Sequence, residues 1–361
     1  MKPRVVVVGG GYGGIAAAGA LDDVADVTLI EPRETFFHNV AALRAAVDSA
    51  WADKIFLPYD DLLSRGRVVR DRATLVTPGH VELAAGTRLD ADYLVLATGS
   101  SSPFPSRIDV TGRDAARARL HDVRDVLDRA SHVLLLGAGP IGLEFAGEIA
   151  AAWPEKRVTV VERGPALVAG RFPDGFRVEL ARQLDALGIR VLLGTTLTAT
   201  PDPDPGTVRP FTVATGTGEI IAADLWFPAY GTGVRSDYLG AELAAARRSN
   251  GRLAVTEHLR VPGHDRVFAI GDLADTPELK MARAAGQHGA VVAANIRALI
   301  EGGPLTSYEP MPDGIVLPLG PSGGVTYDVG AGLLGAEVTA QIKANFHLEH
   351  VLETLRAAAT V

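Results

Sequence analysis

The chain of 361 residues contains no cysteine. That absence removes disulfides, thiolate metal centres and every mechanism built on a redox-active cysteine pair, and a site without metal is expected. Positive charge is also in deficit, with 35 Lys and Arg against 43 Asp and Glu, a formal net charge of −8. Phosphate neutralisation on a nucleic acid needs clustered Lys and Arg, so no nucleic-acid partner is expected. No apolar run reaches the length of a membrane span, which argues against an integral membrane segment. Met1-Lys2-Pro3-Arg4 leads straight into a core strand rather than a targeting leader, so the default location is cytoplasmic.

What is present describes a globular protein, with 47% hydrophobic and 22% charged residues. Its length exceeds a single ordinary core, so two or three domains are expected. Two glycine fingerprints of the same kind stand 128 residues apart. Val5-Val6-Val7-Val8 leads into Gly9-Gly10-Gly11-Tyr12-Gly13-Gly14, and Val133-Leu134-Leu135-Leu136 leads into Gly137-Ala138-Gly139-Pro140-Ile141-Gly142. Each reads as a buried strand, a tight turn and a helix start, the unit that places a dinucleotide pyrophosphate on a helix N-terminus.

Glycine-rich turns also serve plain packing, so the flanks decide. After the first motif, Ile15 to Ala25 suits a helix, Val27 to Glu31 makes a second strand, and Glu31 lies 22 residues past Gly9. After the second, a helix from about Ile141 to Ala152 precedes the strand Val158 to Val161, and Glu162 lies 25 residues past Gly137. An acid at that spacing can accept hydrogen bonds from a ribose diol. Gly9, Gly11, Gly14 and Glu31, with Gly137, Gly139, Gly142 and Glu162, are therefore candidate cofactor-binding residues. Two such units suggest two dinucleotides, and two dinucleotides suggest electron transfer between them.

Two further strands end in small-residue turns, Asp92 to Leu96 before Ala97-Thr98-Gly99, and Val267 to Ile270 before Gly271-Asp272. An ordinary strand exit would explain the first, and an N-cap for the following helix would explain Asp272. The whole second glycine unit lies between them, so the first domain reads as interrupted. The expected fold class is α/β, with two Rossmann-like dinucleotide-binding domains and a small C-terminal α+β region. Thr200 to Gly206, with its prolines and aspartates, reads as a surface loop in the middle domain. Past Gly302-Gly303-Pro304 the tail carries Glu309, Asp313, Asp328, Glu337, Glu349 and Glu353 against Lys343 and Arg356. That balance does not favour an anionic bilayer. A helix is expected from about Glu337 to Ala359. Its Phe346, Val351, Leu352 and Leu355 could pack on the body, cover a substrate channel or form a dimer contact, with packing favoured, and a homodimer stays open.

The order of these motifs resembles the two-dinucleotide flavoprotein oxidoreductases of glutathione-reductase-like fold. Phe37-His38-Asn39-Val40-Ala41-Ala42-Leu43-Arg44, and Gly271-Asp272 followed by Lys280-Met281-Ala282, look like the apoptosis-inducing-factor-like branch. That branch includes the ferroptosis suppressor proteins, NAD(P)H:quinone oxidoreductases. The resemblance covers the chain, less specifically beyond residue 302. It implies an FAD-binding domain of residues 1–107 and 228–302, an NAD(P)H-binding domain of 108–227, and a C-terminal domain of 303–361.

By the same resemblance Gly9, Gly11, Gly14, Glu31, His38, Ala97, Thr98, Gly99, Gly271 and Asp272 would lie at FAD. Gly137, Gly139, Gly142, Glu144 and Glu162 would face the nicotinamide nucleotide. Lys280 and His38 would be the catalytic side chains, although one could be a solvated lysine and the other a satisfied residue of a half-buried loop. Glu162 would repel a 2′-phosphate and favour NADH, while Arg163 leaves NADPH admissible. Position 2 is Lys rather than the glycine of a myristoylated relative, so lipid anchoring is not implied. The expected reaction passes hydride from NADH to FAD and two electrons on to a quinone-like small molecule. A ferredoxin-type protein reductase, a redox-responsive NADH-binding flavoprotein and a biosynthetic flavoenzyme acting on a quinonoid product are the alternatives.

Overall fold

The computed structural model describes residues 2–357. Parallel strands build two sheets. In chain order they are β1 (Arg4–Val8), β2 (Asp26–Ile30), β3 (Arg67–Val69), β4 (Tyr93–Leu96), β5 (His132–Leu136), β6 (Arg157–Val161), β7 (Ile189–Leu192), β8 (Leu225–Pro228) and β9 (Val267–Ala269). The first sheet runs β9-β4-β1-β2-β3 and the second β7-β6-β5-β8. Val5 to Val8 and Leu134 to Leu136 are buried, as parallel strands covered on both faces must be. The strand β9 returns to the first sheet after the entire second sheet has been laid down, pairing with β4 from Val267↔Leu94 to Ala269↔Leu96.

The helices that position the sites are α1 (Tyr12–Leu21), α2 (Arg113–Arg129), α3 (Pro140–Ala152), α4 (Asp174–Ala186) and α5 (Ala282–Glu301). The first starts before Ile15 and stops at Leu21 rather than Ala25. Just past this end the buried Asp22 carboxylate accepts the backbone N–H groups of Ser64, Arg65 and Gly66 at 2.7, 3.1 and 2.7 Å.

The tail forms an antiparallel sheet of β10 (Gly314–Leu319), β11 (Gly323–Asp328) and β12 (Gly332–Leu334), followed by α6 (Ala336–Lys343) and α7 (Leu348–Leu355). The single expected helix is therefore two, and Ala359 at its far end lies outside the described residues. Phe346 and His347 take φ of 50° and 60°, which breaks the helical ladder between them. Burial drives the break: Phe346 joins the core that β5, α3 and α4 share, and its ring meets Trp51 edge-on at 5.0 Å. Val351 and Leu355 pack on the other core, against Leu21 and Leu62, with Leu352 half-buried at its margin. Three of the four apolar residues are thus buried inside the chain. Among the described residues, no helix is long and apolar enough to cross a membrane.

Candidate functional site

Both glycine turns have the same construction. Gly9 has φ 108°, and a Cβ there would stand 2.5 Å from the Ala97 carbonyl oxygen; Gly137 has φ 117°, with the Ala229 oxygen at 2.9 Å. A Cβ on Gly14 would stand 1.9 Å from the Gly9 oxygen, and one on Gly142 the same distance from Gly137. These glycines let each helix start lie directly on its strand end. At Gly11 and Gly139 a Cβ would meet nothing within 4 Å. These two are the N-cap residues of α1 and α3, and neither helix has a side-chain cap. Helix amides facing open space form an anion site, so the donor set fits a dinucleotide pyrophosphate in both places.

The two acids repeat the symmetry. Glu31 is buried; its Oε2 accepts from the Gly10 N–H at 2.8 Å and its Oε1 from the Arg33 N–H and Nε, both at 3.0 Å. Glu162 accepts from the Ala138 N–H at 2.9 Å and the Gly164 N–H at 2.7 Å. In each case the residue after the first motif glycine is the donor. Each carboxylate braces its own turn and keeps lone pairs for ribose hydroxyls.

Around the first cradle the other expected residues converge. The Ala97 N–H donates to Val8 O at 2.8 Å, and Gly99 O accepts from the Arg235 N–H at 3.1 Å. Thr98 Oγ1 donates to Arg235 O at 2.7 Å and lies 3.0 Å from the Tyr238 hydroxyl. Asp272 is not the N-cap of the long helix. It sits in a short 3-10 turn, Gly271–Leu273, whereas α5 begins only at Ala282 behind Met281. Its Oδ2 accepts from Ser100 Oγ at 2.5 Å and faces Arg107 at 3.6 Å, so it ties the ends of β4 and β9 together.

Sequence reading missed three arginines here. Burial holds Arg107 below its ordinary value, with Arg33 and Arg235 adding repulsion, and burial followed by Arg33 and Arg72 does the same to Arg235. Crowded guanidiniums beside a helix N-terminus form a natural place for a phosphate. Each comes from a different loop, so no motif announces them.

His38 is buried, and the hydrogen bonds fix its tautomer. The Val40 N–H donates to the Tyr12 oxygen at 3.3 Å, leaving the Tyr12 proton for His38 Nδ1 at 2.9 Å; Nε2–H then donates to Phe346 O at 3.0 Å. Burial, with Lys343 and His347 nearby, pushes the ring down to about 4, so it is neutral near pH 7. Both ring nitrogens are committed to protein partners, an arrangement suited to holding the tail against the first cradle. Lys280 is half-buried, with Nζ donating to Thr276 O at 2.9 Å and Thr276 Oγ1 at 2.5 Å. Burial lowers it against the pull of Glu278, Asp272 and Asp275.

Glu144 lies in the second turn of α3. Burial pushes its carboxyl up to about 7; Lys343 opposes this and Glu148 adds to it. Lys343 is thus the common charged neighbour of His38 and Glu144, a link only the tail's fold creates. One turn further along α3, Glu148 takes Arg44 in a bidentate pair at 2.5 and 2.9 Å.

Over residues 3–289 the sequence matches the family described as pyridine nucleotide-disulphide oxidoreductase. The chain belongs to that family. It is 34% identical to ferroptosis suppressor protein 1 of Homo sapiens over 329 residues, covering 89% of this chain and 87% of that one. It is 31% identical to apoptosis-inducing factor homolog B of Dictyostelium discoideum, covering 95% and 94%. Among solved structures, NDH2 from Plasmodium falciparum in complex with NADH superposes with a TM-score of 0.78 at 15% identity, covering 99% and 96%. The sulfide:quinone oxidoreductase of Aquifex aeolicus gives 0.75 at 17% identity, covering 99% and 92%. The fold is the family's FAD/NAD α/β fold, and the chain is an NAD(P)H-dependent flavoprotein oxidoreductase. The disulphide half of the family description has no counterpart in a chain without cysteine.

Proposed function

We propose that this protein oxidises NADH and reduces a quinone-like small molecule, with FAD at the first cradle and the nicotinamide nucleotide at the second. The observation that carries the reading is the duplicated cradle, each with an open helix N-terminus and a buried acid on its own turn. Bound FAD supplies the two-electron relay between a hydride donor and an acceptor. The rest is the work of this chain's residues. Gly9, Gly11 and Gly14 with Arg33, Arg107 and Arg235 would hold the FAD pyrophosphate, Glu31 its adenosine ribose, and Asp272 with Thr98 the strand-end turns beneath it. Gly137, Gly139 and Gly142 would hold the second pyrophosphate, and Glu162 its ribose, where a 2′-phosphate would meet a carboxylate. Lys280 would place positive charge beside the isoalloxazine, and Glu144 would line the nicotinamide side. His38 would orient the tail and exclude water.

Residues 1–107 and 228–302 would form the FAD unit, 108–227 the nucleotide unit, and 303–361 the covering tail. Pro228 itself still pairs with Leu136 in the second sheet. A quinone-like acceptor is supported by the sulfide:quinone oxidoreductase among the structural neighbours. The test is anaerobic titration of the purified yellow protein with NADH and with NADPH, followed by a panel of quinones and a ferredoxin. Bleaching by NADH at lower concentration than NADPH, with quinone reoxidation fastest, is expected. A colourless protein that takes up no FAD would overturn the reading.

A further inference from the structure

The turn that carries Asp272 is held from behind by a buried pair of side chains. The Gly271 N–H donates to Nδ1 of His288, two turns into α5, at 3.0 Å. That bond makes Nδ1 an acceptor, so the ring proton is on Nε2, which meets Glu278 Oε1 at 3.0 Å. Both side chains are 1% exposed. Thr276 Oγ1 donates to the same Glu278 oxygen at 2.7 Å, and Lys280 Nζ binds Thr276. The Tyr308 ring stands edge-on to the imidazole at 4.4 Å. Burial, and then the Glu278 carboxylate beside it, push the Tyr308 hydroxyl up to about 12.

The chain of contacts runs from Glu278 through the imidazole to the backbone of Gly271, whose φ of 64° already lies in the left-handed region. The next residue is Asp272, the carboxylate that joins Ser100 and Arg107. We infer that His288, oriented by Glu278, is a positioning residue: it sets the Gly271–Asp272 turn in the geometry that receives FAD. The inference rests on the first cradle being the FAD site.

Two near-isosteric variants separate the two ends of the ring. H288N keeps an acceptor where Nδ1 stood and drops the reach to Glu278. H288Q keeps a donor where Nε2 stood and leaves the Gly271 N–H without an acceptor. The measurement is FAD affinity of the apoprotein by flavin fluorescence, with NADH binding and thermal unfolding as checks that each variant folds. H288N should bind FAD within about threefold of the parent protein and H288Q about tenfold more weakly, the scale of one lost buried acceptor.

A pH series adds a readout that mere packing would not move. Protonation at Nδ1 would displace the Gly271 N–H. The groups facing the ring are Glu278, Lys280, Asp272 and Tyr308, and burial keeps the ring below the usual imidazole range. FAD affinity of the parent protein should therefore fall on acidification, and that of H288N should not. Equal affinities for both variants, or H288N as weak as H288Q, would overturn the inference. A parent protein that binds no FAD would instead remove the reading beneath it.

Discussion

Arg44→Ala should destabilise this protein more than most single truncations. The guanidinium makes a bidentate pair with Glu148, and the two side chains are 13% and 3% exposed. Arg44 lies in a short helix, Ala42–Ala45, that packs on α3, the helix that carries Glu148. The arginine also covers the Phe346 ring, 5.3 Å from its centroid. Removing it leaves a buried carboxylate without its cation, a loss of about 3–5 kcal/mol where such pairs are broken from one side. Replacing both partners by apolar residues of similar volume, as in R44M/E148L, should recover most of that loss.

The pH dependence follows from the sign of the shift. Burial already holds Glu148 above its usual range, with Arg44 pulling it down. Without Arg44 the folded-state value rises further, so the folded chain keeps this proton to higher pH than the unfolded chain does. The deficit of R44A then grows as the pH rises above the unfolded carboxyl value and shrinks as the pH falls toward it. Urea denaturation of the apoprotein at several pH values, with the single and double variants side by side, measures this. A loss under about 1 kcal/mol at neutral pH, or a deficit that grows on acidification, would refute the reasoning.

Gly14→Ala should yield a protein that loses FAD on purification, because its Cβ would fall 1.9 Å from the Gly9 oxygen; absorbance of the pure protein checks it. Gly142→Ala should keep the yellow colour and lose reduction by NADH, and the reverse pattern would mean the cradles are misassigned. Glu144→Gln should remove an inflection near pH 7 from the turnover profile, since that carboxyl deprotonates at about 7; an inflection that persists belongs to another group. Lys280→Met should retain FAD but slow flavin reduction or reoxidation in stopped flow. Unchanged rates with every acceptor would exclude Lys280 from the site.

The cradles were readable because their chemistry is local. A strand, a turn that only glycine can make and an acid at the end of the next strand all lie within some 25 residues, and the structure puts Glu31 and Glu162 on the same N–H of their own turns. What was not readable depends on contacts between distant segments. Arg107 and Arg235 reach the first cradle from unrelated loops, and His288 reaches Gly271 from the interior of a helix whose pattern reads only as small and apolar. The split in the tail helix has no local signal either, since Phe346 and His347 leave the helical region only to seat Phe346 in a core built largely by residues far earlier in the chain. The same seating turns the Phe346 carbonyl toward His38 and brings Lys343 to Glu144. The tail is therefore a structural part of both proposed cofactor environments, and the residues that complete the site are those whose positions only the finished packing determines.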